Sequence, residues 1–372
     1  MTSEVIIAVR GEMPENLIRT VNQVSKHSDV CLVFDGSENE NQCPPKIKNK
    51  VRLITIDGSP VGCGYARHVG IDSSTADVII ILDGHMILQK DWHRTIMSHH
   101  KTRKNHLTCF RCEHLDQNGR KTGDPLESGA AIRYKSTEKH GLKYALTAKW
   151  NAEKPEKGQI PCVLGACYSF RRSWYNAIGK PLSILRAWGG DEEILSLATW
   201  VMGGKVYLQN AVAGHIYAAK NKGRIKTADE QDAIWANRYA IVDALPMPKM
   251  VRNDLRRWLA SSNRLYAKIP QMNAETIELA RVLESGPRKF DWLVNNGIIT
   301  GYEEPADKSY TPPMSPEGDK AQIIIRKADV CNRCGALDSF VQTKGRSYTA
   351  SFGMSYARCS RCGHKGHLRV VR

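Results

Sequence analysis

Over the first 110 residues, short apolar runs alternate with amphipathic stretches. Val5-Ile6-Ile7-Ala8-Val9 is a continuous apolar run of the kind found in buried parallel strands. Pro14 opens a stretch with Leu17, Ile18, Val21 and Val24 on one helical face. Val30-Cys31-Leu32-Val33-Phe34 and Val51-Arg52-Leu53-Ile54-Thr55-Ile56 read as a second and a third strand. Gly62-Cys63-Gly64-Tyr65-Ala66-Arg67 leads into a helix, and Val78-Ile79-Ile80-Ile81-Leu82 is a fourth strand. The pattern predicts an α/β domain with a mainly parallel sheet. Two runs end in polar triplets, Asp35-Gly36-Ser37 and Asp83-Gly84-His85. Polar residues just past strand ends are where such sheets bind ligands.

Beyond this region the pattern changes. Residues 116–160 are polar and read as an acceptor-side loop or insertion, and residues 161–217 return to apolar segments with two Gly-Gly turns. Residues 228–300 have helical spacing, with Trp235, Tyr239, Trp258 and Leu259 as expected packing residues. Pro305, Pro312, Pro313 and Pro316 mark a linker. The predicted organisation is an α/β domain over 1–220, a helical extension over 221–300, a linker over 301–320 and a small module over 321–372.

Composition narrows the classes. Of 372 residues, 41% are hydrophobic and 25% charged, a globular balance. No apolar run approaches the roughly 20 residues that span a bilayer. Met1 to Arg10 has no basic segment ahead of a long apolar core. The expectation is a cytoplasmic chain with no membrane partner. The formal net charge is +16, and residues 321–372 alone carry ten basic and two acidic side chains. That excess points to a polyanionic partner, the alternative being solubility. Eleven cysteines without an export signal argue against a disulfide framework.

Asp83 and His85 lie two apart after a buried strand and offer a hard oxygen and an imidazole nitrogen, a set that suits Mn²⁺. An ordinary turn is the alternative. The context changes the weighing. Ala66-Arg67-His68-Val69-Gly70 followed by Leu82-Asp83-Gly84-His85 resembles the nucleotide-sugar half of the GT-A glycosyltransferases. It is most similar to the polypeptide N-acetylgalactosaminyltransferases within the family-two group. Val33-Phe34-Asp35-Gly36-Ser37, Gly165-Ala166-Cys167-Tyr168-Ser169-Phe170 with Ile178-Gly179, Trp188-Gly189-Gly190-Asp191-Glu192, Gly203-Gly204 and Val212-Ala213-Gly214-His215-Ile216-Tyr217 resemble further family segments in order. The likeness covers about residues 3–240.

The resemblance implies a Rossmann-like GT-A domain that binds a UDP-sugar. Asp35 would meet the uracil or ribose. Asp83, His85 and His215 would hold Mn²⁺ or Mg²⁺, which neutralises the departing diphosphate. Arg67 would support the same region, and Trp188 would pack on a sugar or, alternatively, in the core. In inverting relatives the second acid of the Asp191-Glu192 pair is the base, so Glu192 would deprotonate the acceptor, with Asp191 beside it. The alternative for both is a charge at a helix start. Retaining relatives have Asn at that position, which leaves the stereochemical outcome open. Arg10-Gly11-Glu12 departs from the common Asn-Glu. Ala218 stands where retaining relatives have Arg, and Lys220, Lys222 or Arg224 would have to supply that charge.

In the last module, Cys331-Asn332-Arg333-Cys334 and Cys359-Ser360-Arg361-Cys362 are two C-x-x-C knuckles, each followed by Gly. Cys331, Cys334, Cys359 and Cys362 are expected to bind a structural Zn²⁺ in a small zinc ribbon with strands at Ser339–Gln342 and Tyr356–Arg358. A redox dithiol is the rival. His364 and His367 read as solvated. Tyr348, Phe352 and Tyr356 among the basic residues suit base stacking and phosphate contact, and a protein-docking ribbon is the alternative. His106, Cys109, Cys112 and His114 have zinc-like content but read better as a strand. Arg252, Arg256, Arg257 and Arg264 could track a phosphate backbone or form a solvated face.

The combination resembles viral (bacteriophage) enzymes that glycosylate modified DNA, which would place the chain in a bacterial host's cytoplasm. The expected acceptor is the hydroxyl of a 5-hydroxymethylpyrimidine, cytosine or uracil, in double-stranded DNA. One rival is a glycosyltransferase acting on a protein or cell-surface glycan. The other is a nucleic-acid-binding protein with a degenerate transferase domain.

Overall fold

The computed structural model describes residues 1–36, 42–137, 143–151, 153–217, 228–261 and 272–303, with strands at 340–342, 354–359 and 365–369. The chain divides into units 1–304 and 305–372, a boundary inside the predicted linker.

In the first unit, Ser3–Val9 (β1), Asp29–Asp35 (β2), Arg52–Ile56 (β3) and Val78–Leu82 (β4) pair in parallel. Met86–Leu88 (β5), His106–Leu115 (β6), Cys167–Arg171 (β9) and Lys205–Ile216 (β10) extend the same sheet. Its order is β3-β2-β1-β4-β9-β6-β10-β5. β9 runs antiparallel to both β4 and β6, whereas β10 is parallel to β6 and antiparallel to β5. The central strand β4 is buried at every position, as its unbroken apolar run requires. The helix Pro14–Val24 (α1) buries Leu17, Val21 and Val24. Cys63–Asp72 (α2) follows the predicted Gly-rich turn, and the short helix Arg172–Ala177 (α4) follows β9. All four predicted strands and both helices fall where the pattern placed them.

The stretch read as a polar loop differs. It holds Ala130–Thr137 (β7) and Lys143–Trp150 (β8), an antiparallel pair joined by Ile299–Thr300 (β11). Ala130, Ile132 and Tyr134 alternate inward with a period of two. The polar residues around that short alternation hide it. The strand expected at Leu107–Cys112 lies inside β6, and Cys109 and Cys112 are buried in it. An extended strand points positions three apart to opposite faces, so the two thiols do not converge on one ion.

Within the stretch 228–300 expected to be helical, the described residues 228–261 and 272–295 are largely helical, and they belong to the first unit. They form Ala228–Ala244 (α6), Lys249–Ala260 (α7), Ala274–Glu284 (α8) and Phe290–Asn295 (α9). Trp235 stacks on Tyr144 of β8 at 5.4 Å between ring centres, and Trp258 Nε1 donates to Tyr144 O at 3.0 Å. The arginines of α7 are not an open basic row. Arg252 donates to Leu245 O at 3.0 Å, and Arg256 pairs with Asp243 at 2.9 Å. Arg264 lies outside the described residues.

Trp92–Thr102 (α3) brings His99 and His100 beside His106 at the start of β6. His99 Nε2 lies 3.2 Å from His106 Nδ1, and His100 Nε2 lies 3.0 Å from Ser169 Oγ. Burial, reinforced by nearby cations, pushes His99 down to about 3 and His100 and His106 down to about 4. The unfolded chain takes up these protons as pH falls below about 6.5, and the folded chain does not. Stability is therefore full above pH 6.5 and is lost as pH falls from there towards 4. His100 alone should contribute about 2 kcal/mol of this loss by pH 5. Denaturant midpoints measured from pH 8 to 5 should fall, and His100→Gln should flatten the slope. An unchanged slope in that variant would show that other groups set the acid limit.

The second unit contains Phe340–Gln342 (β12), Met354–Cys359 (β13) and Lys365–Arg369 (β14) in one antiparallel sheet. The first two strands lie where the sequence placed them, and Cys359 closes β13. Cys331, Cys334 and Cys362 lie outside the described residues, as do His364, Tyr348 and Phe352. No helix among the described residues is long and apolar enough to cross a membrane.

Candidate active site and metal centre

The chain ends its parallel strands at one edge of the sheet, and the predicted polar residues collect there. Asp83 follows β4, His85 precedes β5, and His215 sits near the end of β10 opposite Met86. One ligand atom from each of Asp83, His85 and His215 fits within 4.8 Å of the others. His85 Nε2 and His215 Nε2 face each other at 2.9 Å, and His215 Nε2 is 3.2 Å from Asp83 Oδ2. Two imidazole nitrogens and a carboxylate oxygen turned to one point form a donor set suited to Mn²⁺ and similar divalent ions. This is the only such group among the described residues. The turn is held from α1, where Thr20 Oγ1 accepts from Met86 N at 2.9 Å and donates to Gly84 O at 3.0 Å.

Arg67 enters from α2 and is 5% exposed. It pairs with Asp83 Oδ1 at 2.6 Å and with Asp191 Oδ2. Burial alone would raise the Asp83 carboxyl. The His215 hydrogen bond and the Arg67 charge outweigh it and hold the carboxyl well below the usual range.

Asp191–Val201 (α5) begins with three acids that meet three different fates. Asp191 is buried against Arg67, so its charge is already matched. Glu193 is buried and accepts from Arg238 at 2.8 Å and from Ala148 N at 3.0 Å. Glu192 lies between them, packed against Gly165, where even a methyl group would overlap its Oε1. Desolvation, together with the charges of Asp191 and Glu193, pushes the Glu192 carboxyl well above its ordinary value. A carboxyl whose proton affinity is raised in this way is a candidate for proton transfer.

Asp35 is 2% exposed and accepts from Val61 N at 2.7 Å and Gly62 N at 2.9 Å. It thereby fixes the turn that starts α2. Gly62 has φ +97°, and a Cβ there would lie 1.9 Å from Ala187 O, so only glycine lets these two backbones meet. Ala187 itself has φ +58°, a strained value for a residue with a side chain. Next to it, Trp188 is 67% exposed, which excludes core packing. Asn237 of α6 braces this loop, donating to Gly189 O at 2.9 Å and accepting from Arg186 N at 2.6 Å.

The structure thus brings together Asp83, His85, His215, Arg67 and Asp191. It puts Glu192 beside them and Asp35 at the end of β2, tied to the turn that starts α2. Ser37, Ala218, Lys220, Lys222 and Arg224 lie outside the described residues. Sequence reasoning missed Glu12, Thr20, Glu193 and Asn237. Glu12 was within reach, because it lies just past β1 as Asp83 lies just past β4 and Asp35 ends β2.

Residues 4–179 match the family model Glycosyl transferase family 2. The polypeptide N-acetylgalactosaminyltransferase 8 of Drosophila melanogaster is 22% identical over 322 residues, 78% of this chain and 50% of that protein. The human polypeptide N-acetylgalactosaminyltransferase 14 is 22% identical over 264 residues, 64% of this chain and 46% of that protein. The chain spans about half the length of these curated relatives. Among solved structures, GalNAc-T7 with UDP, GalNAc and Mn²⁺ superposes with a TM-score of 0.59 at 17% identity, over 78% of this chain and 55% of that one. Residues 4–179 thus match the glycosyl transferase family 2 model, and the fold is that of the GT-A glycosyltransferases.

Proposed function

We propose that this chain is a divalent-metal-dependent glycosyltransferase that moves a sugar from a UDP-sugar to an acceptor hydroxyl. The observation that carries this reading is the convergence of Asp83, His85 and His215 at the strand ends of a family 2 domain. A bound Mn²⁺ supplies positive charge to the departing diphosphate. Arg67 adds a fixed cation beside Asp83, and Asp191 keeps that cation in place. Asp35 acts through the 61–62 turn, setting the start of α2 beside the nucleotide. Glu192 takes the proton of the acceptor hydroxyl. Trp188 presents an exposed indole on which a sugar or acceptor can stack.

The relatives, whose names describe transfer to polypeptides, support a protein or glycan hydroxyl as the first reading of the acceptor. A separate observation favours a second one. Ten basic and two acidic residues over 321–372, with two C-x-x-C pairs, suit a Zn²⁺-held module that binds DNA. On that reading the acceptor is a 5-hydroxymethylpyrimidine in DNA.

One assay separates these readings. UDP-sugars with Mn²⁺ are offered with a threonine-rich peptide, and with unmodified, 5-hydroxymethylcytosine and 5-hydroxymethyluracil DNA. Products are read by mass spectrometry. Sugar on the peptide supports the first reading, and sugar only on a hydroxymethylated base supports the second. Neither transfer nor donor hydrolysis would support a degenerate domain. In the same assay Trp188→Ala should raise KM several-fold while leaving the melting temperature unchanged, because the indole touches solvent and not the core. A drop of several degrees would mean that the loop depends on it.

A further inference from the structure

The end of β1 was read from sequence only as a departure from a family pattern, yet it reaches the metal centre. Glu12 Oε2 lies 2.7 Å from His85 Nδ1, the ring nitrogen turned away from Asp83 and His215. Its other oxygen, Oε1, accepts from Met13 N at 3.1 Å, which anchors the carboxylate at the start of α1. The side chain is only 15% exposed. Gly84, between the two ligands of the triplet, leaves room for it, since a Cβ there would lie 2.9 Å from Glu12 Cγ.

We propose that Glu12 is a positioning residue that fixes His85 as an Nε2 ligand. A neutral imidazole carries one proton on one of its two nitrogens, and only the bare nitrogen can bind a metal. A carboxylate accepts and cannot donate, so it draws the proton to Nδ1 and leaves the Nε2 lone pair facing the ion. Carboxylates behind histidine ligands orient the ring in this way, and their loss weakens metal binding by about 10- to 100-fold. Glu12 also makes the spacing of the triplet intelligible. The residue between Asp83 and His85 must be small because the space beside it holds the carboxylate of another strand.

The inference rests on the metal-centre reading above, and the test keeps the two apart. Mn²⁺ is titrated into the full chain, with and without UDP, and free aqua Mn²⁺ is read by electron paramagnetic resonance against protein-free controls. Glu12→Gln keeps the size of the side chain and an acceptor for Met13 N. It turns an amide N–H₂ towards His85 Nδ1, which favours the proton on Nε2. The expected result is wild-type binding, no binding by Asp83→Ala, and at least tenfold weaker binding by Glu12→Gln with an unchanged metal-free melting temperature. Gly84→Ala, which displaces Glu12 without changing its chemistry, should weaken binding in the same direction. It serves as the deciding variant if Glu12→Gln folds poorly. Binding by both variants within twofold of wild type would overturn the role of Glu12 and leave the metal centre standing. No binding by wild type would overturn both.

Discussion

Asp83→Asn should abolish Mn²⁺ binding and lower transfer by at least about 10²- to 10³-fold, the range for removing one preorganised electrostatic contact to a reacting group. The substitution is close to isosteric, so packing around β4 is unchanged. Arg67 keeps Asp191 as a partner, so no buried cation is left alone. The melting temperature without metal should therefore stay near that of wild type. What disappears is the negative charge that draws in the divalent ion and turns His215 towards it at 3.2 Å. Three measurements check this: product formation, Mn²⁺ titration and thermal unfolding. A variant that has lost metal binding but transfers at the wild-type rate would show that the reaction does not use this centre.

The ease of finding Asp83 has a physical basis. β4 is buried on both faces, so its sequence is unbroken apolar, and the first polar residue after it has to emerge at the sheet edge. The same logic located Asp35 and the start of α2. His215 was legible through its ordered position in a resemblance, because nothing local distinguishes it from a histidine at any strand end. Glu12 satisfies the same strand-end rule, but its triplet departs from the family's Asn-Glu, which hides its role. Glu193 and Asn237 were not legible at all. Each acts across 45 or 51 residues of chain, on Arg238 and on the backbone of Arg186, and no spacing announces such a contact. β7 and β8 were missed for a different reason. Their alternation is short and is diluted by charged residues that face solvent.

Because Asp191, Glu192 and Glu193 are consecutive, sequence alone could treat them as one acidic helix start. The structure separates them, and the separation predicts opposite outcomes for neighbouring substitutions. Glu193 and Arg238 are 4% and 6% exposed, and Glu193 also accepts the amide of Ala148 in β8. Glu193→Ala removes one half of a buried pair and leaves the guanidinium without its counter-charge, a change that costs about 3–5 kcal/mol. For a unit of about 300 residues that corresponds to a fall of about 5–8 °C in melting temperature. Replacing both partners, Glu193→Gln with Arg238→Met, removes the stranded charge and should recover part of the loss. Glu192→Gln should do the reverse. Desolvation and its two acidic neighbours make its charged form costly in the fold, so a neutral amide costs little stability. Transfer should nonetheless fall by about 10²- to 10⁴-fold, because the acceptor's proton is taken by the carboxylate form, which an amide never offers. Thermal melts and steady-state rates on the two variants separate the roles. If Glu193→Ala melts like wild type, the Glu193–Arg238 pair is not what holds α5 to α6. If Glu192→Gln keeps full activity, the base lies elsewhere, and Asp191, already neutralised by Arg67, is poorly placed to replace it.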